Sequence, residues 1–128
     1  MGAIKNTLLN ACFAIAVFTT AVNSALAHGT PADTQRGVAS FYSDRFQGAT
    51  TASGEAFDQK ALTAAHPSLP FGTKVLVSRP DTGQEVEVLI NDRGPYVKGR
   101  IIDLSKSAAR QLGIINRGVA PVLVTLLD

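Results

Sequence analysis

Residues 91–105, NDRGPYVKGRIIDLS, set two acidic side chains, Asp92 and Asp103, at the ends of apolar runs, with an Arg-Gly-Pro turn between them. The stretch before them, EVEVLI at 85–90, alternates polar and apolar residues and so reads as a strand that delivers Asp92 to its end. Pro95 biases Gly94 toward extended geometry and shapes a tight turn. A second apolar pair, Ile101 and Ile102, runs into Asp103, and Leu104-Ser105 opens a helix. Two carboxylates at strand ends can converge on one cleft, the equipment for acid–base attack on a glycosidic bond. Plainer readings stand beside this one. An Asp in Asn-Asp-Arg-Gly also forms turns by bonding its own backbone, and an Asp just before a helix favours the helix's positive end.

Working outward, GVASFYS at 37–43 reads as a first strand with Val38, Ser40 and Tyr42 on one side and Ala39 and Phe41 on the other, Phe41 being the core candidate. Residues 44–58 are dense in Gly, Thr, Ser and Ala, too polar for a core and long for a connection, which marks the loop as a functional candidate. Glu55 stands in it, and Phe57 is placed to pin it to the body of the fold. His66 precedes Pro67 and is therefore presented from an extended segment. Residues 73–79 and 85–91 form a hairpin across Pro80-Asp81-Thr82-Gly83. SKSAARQLG at 105–113 reads as a two-turn helix capped by Ser105, with Leu104, Ala108 and Leu112 along one face and Gly113 ending it. APVLVTLL at 120–127 is a near-continuous apolar run and reads as a central strand closing the sheet. Five or six short strands, one small helix and one long loop suit a small closed barrel without exposed edges.

The start of the chain has the pattern of a secretory signal: Lys5, an apolar core over 11–22, and Ala25-Leu26-Ala27 as the cleavage site. Cys12 lies at the front of the apolar segment, the wrong end for lipid attachment, so the expectation is a periplasmic or secreted protein with no stable membrane anchor and no lipid modification. Removing residues 1–27 from 128 leaves 101 residues and no cysteine, enough for one domain without disulfides. Residues 28–35 read as a flexible leader and 36–128 as the domain, expected to be monomeric. The whole chain has 12 basic and 10 acidic side chains, and the balance without Lys5 falls to +1, which offers nothing for nucleic acid to bind. No metal-ligand spacing and no phosphate-binding glycine loop is present, so neither metal nor cofactor is expected.

GVASFYS, TASGEAFD, LTAAHPSLPFGT, NDRGPY and GRIIDLSKSAARQLG occur in this order and spacing. Together they resemble the catalytic domain of the rare lipoprotein A (RlpA) family of bacterial septal-ring lytic transglycosylases, over roughly residues 36–127. The resemblance implies an all-β fold, a six-stranded double-psi β-barrel with one or two short helices. It also implies cleavage of peptidoglycan between N-acetylmuramic acid and N-acetylglucosamine, leaving 1,6-anhydro ends, with preference for strands stripped of stem peptides and with no cofactor. Carried over by position, the family's site residues are Glu55, His66 and Asp92, while related expansin and membrane-bound transglycosylase A barrels point to Asp103. The resulting expectation is Asp92 as acid and base, Asp103 as second carboxylate, and Glu55 and His66 shaping protonation and position. His66 as a structural ring and Glu55 as a solvated loop charge remain the alternatives. Phe41, Tyr42, Arg93 and Tyr96 are the expected substrate-binding side chains.

The chain departs from the family pattern at Phe41, Ser43 and Ser53, where Trp, Gly and Asn are usual. Loss of the Trp weakens a sugar-stacking platform. Many members also carry a lipid anchor and a C-terminal glycan-binding repeat, and the expectation here is a barrel that stands alone. The rival reading is a non-catalytic, expansin-like module that binds or loosens wall glycan on the same barrel.

Overall fold

The computed structural model describes residues 33–127, so the expected signal at 1–27 and the first part of the expected leader lie outside the described residues. Six strands close into a barrel: β1 (Thr34–Phe41), β2 (Thr63–Ala65), β3 (Lys74–Ser78), β4 (Glu85–Asp92), β5 (Arg100–Leu104) and β6 (Ala120–Leu126). Around the barrel the order is β1-β5-β2-β4-β3-β6, with β6 pairing back to β1. The β1–β5 and β2–β4 pairs are parallel and the other four antiparallel. Thr34 and Gln35 already pair with Thr125 and Val124, so β1 begins inside the stretch expected to be a leader. The polarity of Gln35 and Arg36 hid this, because an outward-facing barrel position accepts polar residues.

The core follows the period of two. In β4, Val86, Val88 and Ile90 are buried while Glu85 and Glu87 face solvent. In β3, Val75 and Val77 point inward. The continuous apolar appearance of 120–127 is misleading: Ala120, Val122 and Val124 are buried, but Pro121 and Leu126 are exposed. A barrel strand has only one interior face, so it alternates where a strand covered on both faces would not. Each fully buried Val, Leu or Ile contributes about 1.5–3 kcal/mol relative to exposure.

Between β5 and β6 lies the one α-helix among the described residues, α1 (Lys106–Leu112), with Ser105 as N-cap and Gly113 at φ 79° as C-cap. Ala108, Ala109 and Leu112 form its buried face, while Leu104 belongs to β5 and not to the helix. Arg79, only 6% exposed, holds the C-terminal end of α1 to the β3–β4 hairpin. Its Nη1 donates to the carbonyls of Leu112 and Gly113, both at 3.1 Å, and its Nε and Nη2 grip Asp81 at 3.1 and 3.0 Å. The last carbonyls of a helix lack intrahelical donors, so one buried guanidinium satisfies two of them and the turn carboxylate together.

Two stability outcomes follow from this packing. A Cβ at Gly37 meets Ile101 at 2.5 Å, at Cγ2 next to the side chain's branch point, so Gly37→Ala should cost about 1–3 kcal/mol in urea unfolding. An unchanged midpoint would mean that Ile101 moves aside freely. Arg79→Met should lower stability by about 1.5–3 kcal/mol, the worth of hydrogen bonds to a charged group, with a smaller loss for Asp81→Asn. Equal losses would make the Asp81 pair, and not the helix carbonyls, the source of the effect.

Candidate functional site

The site is set by register. Ala65 of β2 pairs with Asp92 of parallel β4 on one side and with Asp103 of antiparallel β5 on the other. Neighbouring strands lie about 4.8 Å apart, so the two acids stand level with their Cα atoms within about 10 Å. On the far side of β5, Asp103 pairs with Ser40 of β1. Both parallel pairs contain a register shift beside these residues, between Val38 and Ala39 in β1 and between Ala64 and Ala65 in β2. Such bulges re-aim side chains locally.

Three donors fix Asp92. The Tyr42 hydroxyl donates to Oδ2 at 2.5 Å, and the backbone amides of Ala52 and Arg93 donate to Oδ1 at 2.8 and 2.9 Å. Asp103 accepts a hydrogen bond from the Ser40 hydroxyl at Oδ1, with Nη2 of Arg100 3.8 Å from the same oxygen. The same Arg100 Nη2 donates to Ser40 Oγ at 2.9 Å. Ser40 thus accepts a hydrogen bond from the cation and donates one to the carboxylate. Burial first, then the hydrogen bond to Asp92, then the charges of Asp92 and Asp103 push the Tyr42 phenol far above its usual range. It therefore stays protonated and acts as a donor.

An open cleft of about 510 Å³ lies over these groups. Phe41, Tyr42, Phe46 and Phe57 line one part of it, Thr50 and Thr51 of the long loop another, and Asp92 to Tyr96, Arg100 and Asp103 the rest. Phe57 is buried and stacks on Tyr42 with ring centroids 4.1 Å apart, anchoring the loop. Gly94 does not take the negative φ usual for a residue before proline. Its φ is +114°, a conformation open to glycine, which carries the chain from Asp92 to the exposed Tyr96.

Of the eight residues expected at the site, six line this cleft: Asp92, Asp103, Phe41, Tyr42, Arg93 and Tyr96. Glu55 and His66 do not. Glu55 is exposed and its Oε1 accepts from Ser53 Oγ at 3.2 Å, within the turn that presents the Ala52 amide to Asp92. The His66 ring, 2% exposed, is occupied at both nitrogens: Nδ1 accepts from the amides of Ser68 and Leu69, each at 3.1 Å, which leaves Nε2 to donate to Gln35 at 2.7 Å. Burial and then the charge of Arg93 lower its pKa, which favours the neutral ring, and the ring's hydrogen bonds go to the turn after β2 and to β1. Arg93 itself donates to the carbonyls of His66 and Leu69 and stacks over Phe71. Its guanidinium braces the loop after β2.

Sequence reasoning missed Ser40, Phe46 and Arg100. Ser40 was recoverable, since it shares a strand face with Tyr42 and the two donate to the two acids. Among the described residues no group of three or more His, Cys, Asp or Glu could hold a metal ion, and no helix is long and apolar enough to cross a membrane.

A family model described as lytic transglycolase matches residues 34–124. The chain is 56% identical over 94 residues to the probable endolytic peptidoglycan transglycosylase RlpA of Nostoc, covering 72% of this chain and 25% of that protein. It is 52% identical over 92 residues to the endolytic peptidoglycan transglycosylase RlpA of Pasteurella multocida, covering 72% and 31%. It spans about a quarter to a third of the length of these curated relatives. Among solved structures the expansin of Clavibacter michiganensis superposes with a TM-score of 0.59 at 29% identity, covering 74% of this chain and 50% of that one. With a closed six-stranded barrel and this match over most of its length, the chain belongs to the RlpA family, and residues 34–124 are its double-psi β-barrel lytic transglycolase domain.

Proposed function

We propose that this barrel is an endolytic peptidoglycan transglycosylase, cleaving glycan strands between N-acetylmuramic acid and N-acetylglucosamine to leave 1,6-anhydro ends. The observation that carries the reading is the pair of carboxylates, Asp92 and Asp103, held level across β2 in one open cleft. The names of relatives at about half identity, endolytic peptidoglycan transglycosylases, supply the polymer and the reaction class. In this reaction the C1–O4 bond breaks as the muramic C6 hydroxyl attacks C1. One group protonates the departing oxygen and then takes the C6 proton, and no water enters. A second charge stabilises the oxocarbenium-like transition state.

Hydrogen bonding supports a division of labour opposite to the one the sequence favoured. Both oxygens of Asp92 already accept from fixed donors, which suits a stationary charge. Asp103 has Ser40 and Arg100 on Oδ1 only, among the described residues, leaving Oδ2 for a sugar oxygen. We assign Asp103 as acid and base, Asp92 as the stabilising carboxylate, and Phe41, Tyr42 and Tyr96 as sugar contacts. Export to the periplasm, argued from the Ala25-Leu26-Ala27 site, belongs to the same proposal. The second reading, a non-catalytic glycan-binding module, draws on the likeness to the Clavibacter expansin.

Mass spectrometry of sacculi incubated with the purified protein decides between them: 1,6-anhydro ends support the enzyme, and sacculus binding without such ends supports the module. Asp103→Asn should lower release of anhydro ends on the order of 10²-fold or more at an unchanged melting temperature. Asp92→Asn should lower both, because the same carboxylate ties the long loop to β4. Near-normal turnover in Asp103→Asn would return the proton to Asp92. Glu55→Gln should keep activity within a few-fold, and a loss as deep as that of Asp103→Asn would restore Glu55 to the site.

A further inference from the structure

Outside the cleft lies the buried imidazole of His66. The residue follows Ala65, the strand partner of Asp92, and its own amide donates to the Asp92 carbonyl at 3.1 Å. Nδ1 of the ring accepts from the amides of Ser68 and Leu69, which closes the turn after β2. Two carbonyls of that turn, those of His66 and Leu69, accept from Nη1 of Arg93 at 3.3 and 2.7 Å. Arg93 adjoins Asp92, and its amide is one of the two backbone donors to Oδ1, at 2.9 Å. A continuous set of hydrogen bonds thus runs from the ring to the turn, from the turn to the guanidinium, and from the same arginine to the carboxylate.

A proton carrier needs a nitrogen within reach of the reacting group. Neither nitrogen of His66 has that freedom: Nδ1 is taken by the turn, and Nε2 meets Oε1 of Gln35 at 2.7 Å. An amide oxygen only accepts, so the ring proton sits on Nε2 and Nδ1 works as an acceptor. Burial and the charge of Arg93 favour the neutral ring that this arrangement needs. An acceptor that closes a turn by binding the amide two residues on is also what an Asn side chain supplies in an Asx turn. The precision matters because a displacement of about 1 Å at a catalytic group can cost about 10²-fold in rate.

We propose that His66 is a positioning residue for the reaction: through Nδ1 it holds the turn on which Arg93 is seated, and so fixes the amide that Arg93 donates to Asp92. The inference deepens the transglycosylase reading and rests on it for the effect on rate. The ring serves as a hydrogen-bond acceptor and carries no proton to or from the sugar. A side chain that presents an acceptor in the place of Nδ1 therefore serves as well, whether or not it titrates. Asn does so with its Oδ1. Gln reaches instead toward the place of Nε2 and leaves the two turn amides bare.

The test joins NMR to kinetics. In the wild-type protein at neutral pH, long-range proton–nitrogen spectra should show a neutral His66 ring with its proton on Nε2, and a charged ring or a proton on Nδ1 overturns the inference. Amide exchange at Ser68, Leu69 and Arg93 should quicken by about 10-fold or more in His66→Gln and return to within a few-fold of wild type in His66→Asn. On purified glycan strands, His66→Gln should lose about 10-fold or more in kcat with KM little changed, the mark of an interaction that acts in the transition state. His66→Asn should recover kcat to within a few-fold, with each variant compared per folded molecule by circular dichroism. A loss in His66→Asn as deep as in His66→Gln makes the ring itself necessary and overturns the inference, as does full kcat in His66→Gln. If the wild type leaves no anhydro ends, the transglycosylase reading alone falls and the exchange rates decide. Unchanged exchange at Arg93 in His66→Gln removes the positioning role and leaves that reading standing.

Discussion

The pairing of Ala65 with both Asp92 and Asp103 is the constraint on which the site depends. Side chains alternate along a strand, so a slip of one residue in β2 against either neighbour would turn an acid away from its donors. β2 is only three residues long, and all three, Thr63, Ala64 and Ala65, are buried. Small side chains there let the parallel partner β4 and the antiparallel partner β5 close around a short strand. The two bulges in the parallel pairs fall beside these contacts, one bringing Ser40 opposite Asp103 and the other bringing Asp92 opposite Ala65. Local irregularity at the site is thus a consequence of how the barrel is closed.

Charge at the site is managed by neutral donors as much as by cations. Ser40 and Tyr42, two residues apart on β1 and its continuation, each donate a hydrogen bond to one acid. Burial keeps the Tyr42 phenol protonated, so the donor to Asp92 does not become a third anion. Among the described residues one cation forms an ion pair with these acids: Arg100 reaches Asp103 from within the same strand. Two carboxylates can then share one cleft because their negative charge is directed into fixed hydrogen bonds rather than toward each other.

Much of this was legible in the chain. The alternation in EVEVLI, the hairpin turn at 80–83, the Ser105 and Gly113 caps and the face shared by Ser40 and Tyr42 are local signals, and the strands, helix and hairpin formed where those signals lay. What was not legible depends on pairing across the barrel. The true start of β1 at Thr34 is fixed by its pairing with Thr125 of β6, 91 residues away, and no local pattern marks it. His66 has the look of a catalytic histidine in sequence, yet its ring is consumed by the Ser68 and Leu69 amides just after it and by Gln35 on β1. Polarity misled in the long loop as well, where Thr51 is buried, whereas the apolar Phe57 is buried as its place in the loop implied.

That loop joins fold to chemistry through its backbone. The turn from Thr51 to Glu55 is closed by the Thr51 amide and hydroxyl, both on the Glu55 carbonyl at 2.8 Å, and it delivers the Ala52 amide to Asp92. Farther along, Gln59 binds the Tyr42 carbonyl and the Lys106 amide, so the loop reaches both the strand that supplies the donors and the first turn of α1. Asp92 orders a loop through the Ala52 amide, whereas Asp103 is held by one hydroxyl of β1 and one cation of its own strand, both on Oδ1. The difference in bonding between Asp92 and Asp103 is therefore a difference in what each carboxylate holds together: Asp92 joins the long loop and Tyr42 to the end of β4, while Asp103 joins β5 to Ser40 of β1 and keeps Oδ2 out of that network.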